Sequence, residues 1–296
     1  MTSLHPIRFV MLGGFLGAGK TTALLRLARI FTERGQRVGI ITNDQAEGLV
    51  DTLAFKAAGY HTEEIPAGCF CCHFEKLLEA SGRLADGLEP DVILAEPVGS
   101  CTDLVNAVIT PLKNLYQDRF DVAPYAALLD PLRAQEALDA RGPLGFSKKV
   151  TYLFKMQQNE ADIIAVNKSD TLDASARKSM RELVAQNFPS ATCVFVSALT
   201  GEGFDELIPL LDAPVESGVN PARVDYEQYT EGEVALGWLN ARIGLDAKQP
   251  WDGDSLLTEL ADLIQSALTT SCVEIAHFKM RLIDSPPPAE RNTIRS

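Results

Sequence analysis

Short apolar runs alternate with helix-like stretches along the first two thirds of the chain. The runs fall at 7–12, 38–42, 92–96, 125–129, 163–167 and 192–196, and most are continuously apolar rather than alternating. Strands of that kind are covered on both faces. The pattern therefore predicts an α/β fold, a mostly parallel sheet covered by helices on both faces. Between the first two runs, Leu24, Leu27, Ala28 and Phe31 recur at helical spacing. A shorter lead-in at 63–67 is either loop or edge strand, ahead of a helix at 74–84. In such sheets a ligand sits outside the carboxyl ends of the strands, so the residues that follow each run are where chemistry is expected.

Composition changes at 212–220, where DAPVESGVN resembles a linker. The resulting division is a main domain at 1–212, a linker at 213–233, a small domain at 234–284 and a mobile, Pro-rich tail at 285–296. In the small domain, 234–243 and 273–283 have strand-like patterns on either side of a helical stretch at 254–268, with Ser255 as its candidate cap. That is a β-α-β unit, a reduced α+β domain. Trp238 and Phe278 are expected in its core.

The first run leads into GGFLGAGKTT, in which residues 14–21 fit G-x-x-x-x-G-K-[ST] at every fixed position. Strand before and helix after is the context this phosphate-binding loop requires. Gly14, Gly17, Ala18 and Gly19 let backbone N–H groups converge on phosphates at a helix N-terminus. Lys20 holds the terminal phosphates, the Thr21 hydroxyl binds magnesium, and Thr22 is a further nucleotide-binding residue.

Three later segments narrow the nucleotide to GTP. The run at 163–167 ends in Asn167-Lys168-Ser169-Asp170, the N-K-x-D box that reads guanine. The Asp170 carboxylate accepts from both guanine N–H groups, and an adenine would leave it unpaired. The run at 192–196 ends in Ser197-Ala198-Leu199-Thr200-Gly201, similar to the S-A-x-x-G loop that backs the base. The run at 92–96 ends in Glu96-Pro97-Val98-Gly99, where Glu96 stands for the magnesium-directed acid and Gly99 for the residue that touches the terminal phosphate. Asp44, after the second run, is a further acid for magnesium or the attacking water.

Cysteine adds a second chemistry. Three of the six cysteines fall within four residues, as Cys69, Cys71 and Cys72 in GCFCCH. Clustered thiols in a chain without an evident signal peptide or membrane span point to a soft metal ion and a cytoplasmic setting rather than a disulfide scaffold. On an extended segment two thiolates share a face and the third needs a turn. His73, a water, Cys101 or a partner chain completes a tetrahedron. The formal net charge of −13 argues against a nucleic-acid partner, which needs a basic face.

Taken in order, GGFLGAGKTT, GCFCC, the E-x-x-G acid box and NKSD resemble the metal-handling P-loop GTPases typified by CobW, with UreG and HypB as relatives. The resemblance implies binding of GTP/GDP and magnesium, with Lys20 and Thr21 at phosphate and magnesium, Glu96 and Gly99 at the switch, and Asn167 and Asp170 at guanine. It implies Cys69, Cys71 and Cys72 at a transition metal (zinc, cobalt or nickel) for delivery to a client metalloenzyme or cofactor-assembly protein. It also implies a nucleotide-dependent homodimer. Two departures mark a divergent subgroup: Ile41-Thr42-Asn43-Asp44 in place of the N-E-F-G of CobW-like chains, and Pro97 inside the acid box. With neither a water-positioning glutamine nor an arginine finger evident, GTP hydrolysis is expected to be slow. Two other functions fit parts of the pattern: a GTPase gating a corrinoid-dependent enzyme, and a non-catalytic GTP-binding regulator.

Overall fold

The computed structural model of the chain describes residues 5–44, 50–66, 68–138, 147–214, 224–237, 239, 241, 243–245, 249–271 and 275–283. It divides into two compact units, Met1–Asn240 and Ala241–Ser296. The first contains a sheet of eight strands: β1 (Ile7–Gly14), β2 (Val38–Asp44), β3 (His61–Pro66), β4 (Val92–Glu96), β5 (Phe120–Val122), β6 (Ala126–Leu129), β7 (Ile163–Val166) and β8 (Thr192–Phe195). Their order is β3-β2-β4-β1-β6-β7-β8, and each pairing is parallel. β5 also runs parallel to β1, beside its first three residues, while β6 pairs with its last three. The six anticipated strands form within two residues of their expected ends. β3 takes the edge position. At three residues, β5 is too short to show a period.

The helices are α1 (Lys20–Glu33), α2 (Val50–Ala57), α3 (Phe74–Leu88), α4 (Thr110–Leu115), α5 (Pro131–Leu138), α6 (Lys148–Asn159), α7 (Ala174–Asn187), α8 (Phe204–Asp212), α9 (Tyr226–Ala235) and, in the second unit, α10 (Gly253–Thr270). Alternate strand residues feed two cores. Val10, Leu12, Ile40, Leu94 and Leu128 pack with Leu24, Leu27 and Phe31 of α1 and with Leu207 and Leu211 of α8. On the opposite face, Leu84 of α3 lies against Gly39, and Phe154 of α6 meets Phe15 edge to face with ring centroids 5.8 Å apart. Each fully buried Leu or Phe contributes roughly 1.5–3 kcal/mol. Helices on both faces also explain why the strands are apolar throughout.

Beyond α8 the arrangement departs from expectation. Residues 215–223 lie outside the described part, but 226–235, assigned above to the end of the linker (to 233) and the start of the small domain, form α9. Asp225 caps it, its carboxylate accepting from the N–H groups of Glu227 and Gln228 at 3.0 and 3.2 Å. α9 docks on α6 through Gly232, where a Cβ would lie 2.7 Å from Leu153 Cγ and 3.0 Å from the Lys149 carbonyl. Lys149 and Glu231 add an ion pair at 3.4 Å. The linker reading failed because helix pairing at a glycine leaves no apolar stripe to recognise.

In the second unit, α10 confirms the helix expected at 254–268. Its cap is Asp252 rather than Ser255, whose hydroxyl instead donates to Asp252 at 2.5 Å. The strands expected at 234–243 and 273–283 do not form among the described residues. A pair of strands alone is marginal without a third partner or a packed helix, and α10 buries none of its residues. Leu239, Ile243 and Phe278 are exposed. Trp238 and the tail lie outside the described residues. Among those described, no helix is long and apolar enough to cross a membrane.

Gly232→Ala sets two effects against each other. Alanine adds about 0.5–1 kcal/mol of helix propensity, whereas overpacking against Leu153 costs about 1–3 kcal/mol. The expected result is a net loss of stability in denaturant unfolding. An unchanged or raised midpoint would show that the α6–α9 contact does not require glycine.

Candidate functional site

Three loops at the carboxyl ends of the central strands form the nucleotide end of the site. β1 turns into α1 through Gly14, Gly17 and Gly19, all with positive φ (129°, 78° and 92°). At Gly14 a Cβ would stand 2.5 Å from the Leu128 carbonyl, and at Gly19 2.5 Å from Asn167 Nδ2. α1 begins at Gly19 without a side-chain cap, so its first N–H groups face the loop. This cradle suits a phosphate. Lys20 is buried and donates to the Gly14 carbonyl at 2.9 Å. A Cβ on Gly99 would lie 3.1 Å from Lys20 Nζ, so the acid-box glycine stands beside the phosphate-loop lysine.

The Thr21 hydroxyl lies 3.0 Å from Glu96 Oε1 and 2.8 Å from Asp51 Oδ1. One hydroxyl and two carboxylates make an all-oxygen donor set that fits a hard cation such as magnesium. Asp51 escaped sequence reasoning, because an acid in the first turn of α2 is ordinary N-terminal charge. Asp44 closes β2, but its side chain lies outside the described residues.

The base-reading end is held together by one amide. Asn167 Nδ2 donates to the Ala18 carbonyl at 2.7 Å, and its Oδ1 accepts from Ala198 N–H at 2.9 Å. The phosphate loop, the N-K-x-D box and the S-A-x-x-G loop are thereby joined at a residue that is 2% exposed. Lys168 takes a positive φ of 57° and pairs with the buried Asp130 at 2.5 Å. Asp170 is exposed on a short 3-10 turn (Ser169–Thr171). Ser197 is fully buried and accepts from Thr200 N–H at 3.1 Å. Asp130, at the start of α5, is a second residue the sequence did not single out.

The cysteines lie between β3 and α3. The sulfurs of Cys69, Cys71 and Cys72 are all within 4.8 Å of one another, with Cys69 and Cys72 at 3.0 Å and Cys71 and Cys72 at 3.9 Å. Backbone bonds from Cys72 and His73 N–H to the Cys69 carbonyl, both 3.1 Å, make the turn that lets the third thiol join. Around zinc, bonds of ~2.3 Å put tetrahedral sulfurs about 3.8 Å apart, so the trio is close to a ligand set. Hydrogen bonds from Cys101 and then Cys71 hold Cys69 far below the usual thiol range, to about 2. The bond with Cys69 pushes Cys101 up. One thiolate thus shares the protons of its neighbours. His73 stands outside the trio, its ring 2.8 Å from where a Cβ on Gly68 would be.

Cys101 is the fourth thiol, 3.3 Å from Cys71 and 1% exposed. It follows Glu96 and Gly99 on the loop leaving β4. α6 holds that loop: Gln157 Nε2 donates to the carbonyls of Gly99 and Cys101 at 2.8 and 3.0 Å. Glu160 accepts from Asp103 and Val105 N–H at 2.5 and 3.1 Å, and burial raises its carboxyl to about 7. From α9, the Tyr226 hydroxyl donates to Asp103 at 2.5 Å.

Residues 8–195 match the family model described as the CobW/HypB/UreG nucleotide-binding domain. The chain belongs to this family. It is 30% identical over 253 residues to the zinc chaperone CobW of Pseudomonas aeruginosa, covering 74% of this chain and 62% of that one. It is 27% identical over 215 residues to the urease accessory protein UreG of Metallosphaera sedula, covering 67% and 90%. The chain therefore spans a little over 60% of the length of the CobW relative. HypB from Helicobacter pylori, solved in complex with nickel, shares the fold: the TM-score is 0.51 at 15% identity, over 72% of this chain and 91% of that one.

Within this CobW/HypB/UreG frame, the structure brings Gly14, Gly17, Ala18, Gly19, Lys20, Thr21, Glu96, Gly99, Asn167 and Ala198 to one group of strand ends. Asn167→Ala removes two buried hydrogen bonds and leaves the Ala18 carbonyl without its amide. The expected loss is about 2–4 kcal/mol, with weaker guanine-nucleotide binding, read by denaturant unfolding and by calorimetry with GDP. Full stability in the variant would show that the three loops are held by other contacts.

Proposed function

We propose that this protein is a slow GTPase that carries a thiophilic metal ion, zinc by preference, to a client metalloenzyme or cofactor-assembly protein in the cytoplasm. The observation that carries the reading is the trio of sulfurs within 4.8 Å of one another, whose neighbour Cys101 shares a loop with Glu96 and Gly99. Soft thiolates favour zinc among the abundant divalent ions, and zinc chaperones among the relatives support the choice.

The chemistry of the nucleotide end follows from its parts. The backbone N–H groups between Gly14 and Lys20 bind the phosphates, and the terminal phosphates compete with the Gly14 carbonyl for the Lys20 ammonium because an anion is the stronger acceptor. Thr21, Asp51 and Glu96 would hold magnesium, which neutralises charge on the phosphates when bound. Gly99 N–H meets the terminal phosphate. Asp170 accepts from guanine, and the Lys168 stem lies along the base. Hydrolysis removes the group that draws the Glu96–Gly99 loop inward, so the loop relaxes. The thiols beside it then hold the ion less tightly, and a client can take it. Pairing of two copies across the nucleotide face is part of this reading.

Two measurements test the reading. Asp51→Asn is expected to lower GTP affinity roughly ten- to a hundredfold in magnesium, the 1.5–3 kcal/mol of a charge-assisted contact, and to leave magnesium-free binding unchanged. Equal loss in both conditions would remove Asp51 from the cation site. Cys71→Ala is expected to abolish tight zinc binding while sparing GTP, read by competition with a chromophoric chelator. Unchanged zinc affinity in that variant would end the carrier reading.

A further inference from the structure

We propose that Cys101 supplies a fourth sulfur to the metal and so makes the nucleotide-sensing loop itself a ligand. The inference rests on the carrier reading above and sharpens it from three thiolates to four.

The geometry points this way. Cys101 Sγ is 3.3 Å from Cys71 Sγ, inside the sulfur spacing of a zinc tetrahedron. It does not belong to the close trio of Cys69, Cys71 and Cys72. Three vertices are nearly set, and the fourth stands to one side. Closing it requires Cys101 to move further toward the trio. Cys72 is exposed on the turn before α3, whereas Cys101 is buried. The Cys101 backbone is tied through the Gln157 amide to Gly99. A shift of Gly99 toward a terminal phosphate is therefore transmitted along two residues and one shared amide to the sulfur.

The number of ligands matters for a carrier. A four-sulfur site is closed: it holds zinc firmly and offers no vacant position. A three-sulfur site leaves one position where an incoming ligand can bind, so exchange needs no prior dissociation. Advance and withdrawal of Cys101 would convert one into the other. Glu233 of α9 is the competing candidate for the fourth position. Its Oε1 is buried without a hydrogen-bond partner, and its charge interacts with Cys69. An oxygen at that position would give a different spectrum.

The test uses the full chain loaded with cobalt(II) or zinc in the presence of magnesium and either a non-hydrolysable GTP analogue or GDP. In wild type with the analogue, sulfur X-ray absorption and thiolate-to-cobalt charge transfer are expected to report four sulfurs, and with GDP three. Cys101→Ala is expected to report three in both states and to lose its nucleotide dependence. Its zinc affinity should fall by more than the roughly 10- to 100-fold that loss of a supporting contact costs. Cys193→Ala, a thiol removed from β8, is the control and should match wild type. An apo melting temperature near that of wild type, with unaltered affinity for the GTP analogue, shows that Cys101→Ala folds. Three sulfurs and one oxygen in wild type with the GTP analogue, or unaltered zinc affinity in Cys101→Ala, would overturn the proposal while leaving the carrier reading intact. Absence of tight metal binding in wild type would overturn the reading itself.

Discussion

β4 ends between two sites of opposite chemistry, and the short loop that leaves it serves both. Glu96 closes the strand against the Thr21 hydroxyl at 3.0 Å, in a setting of hard oxygen donors. Five residues later Cys101 touches Cys71 among soft sulfur donors. No chain could place both so close without burying the segment, and residues 96–102 are buried throughout. Burial obliges the backbone polar groups to find partners. Gln157 and Glu160, both on the α6 side of the loop, provide them. α6 therefore positions the loop through its backbone.

A second constraint acts at the base-reading end. The Asn167 side chain donates to one loop and accepts from another, so guanine recognition and phosphate binding share a rigid junction. The junction explains why Gly19 must lack a side chain: a Cβ there would occupy the place of the Asn167 amide. Under the proposed function the site combines a firm half, from the phosphate loop to β8, with a half that changes shape, the loop after β4. Under the proposed function this division of labour is what a switch needs: a fixed nucleotide and a movable ligand.

The nucleotide half was largely legible beforehand, because its motifs are contiguous. Phosphate binding depends on backbone N–H groups in a single turn, and G-x-x-x-x-G-K-T encodes that turn in eight residues. Strands buried on both faces declare themselves by continuous apolar runs, so the sheet was legible as well. The thiol trio was visible for the same reason. What escaped was assembled from distant parts. Asp51 and Asp130 are helix-terminal acids like many others until the fold sets one against Thr21 and the other against Lys168. α9 lacks a strong apolar stripe, since it approaches α6 through a glycine. In the small domain, alternating patterns at 234–243 and 273–283 suggested strands that do not form among the described residues, since a period of two becomes a strand only where a neighbour accepts its hydrogen bonds.

The amino-acid sequence by itself determined the fold class and the phosphate-binding loop and pointed to a guanine nucleotide and a soft-metal ligand set, because each rests on local periodicity or on donor groups within a few residues of one another. Only the tertiary structure decided which acids face Thr21, that His73 stands apart from the thiols and that Cys101 lies beside them. The acids and Cys101 come together across 30 or more residues of chain, through parallel strand order and helix packing that no short stretch encodes, while the place of His73 is set by the turn that follows the thiols.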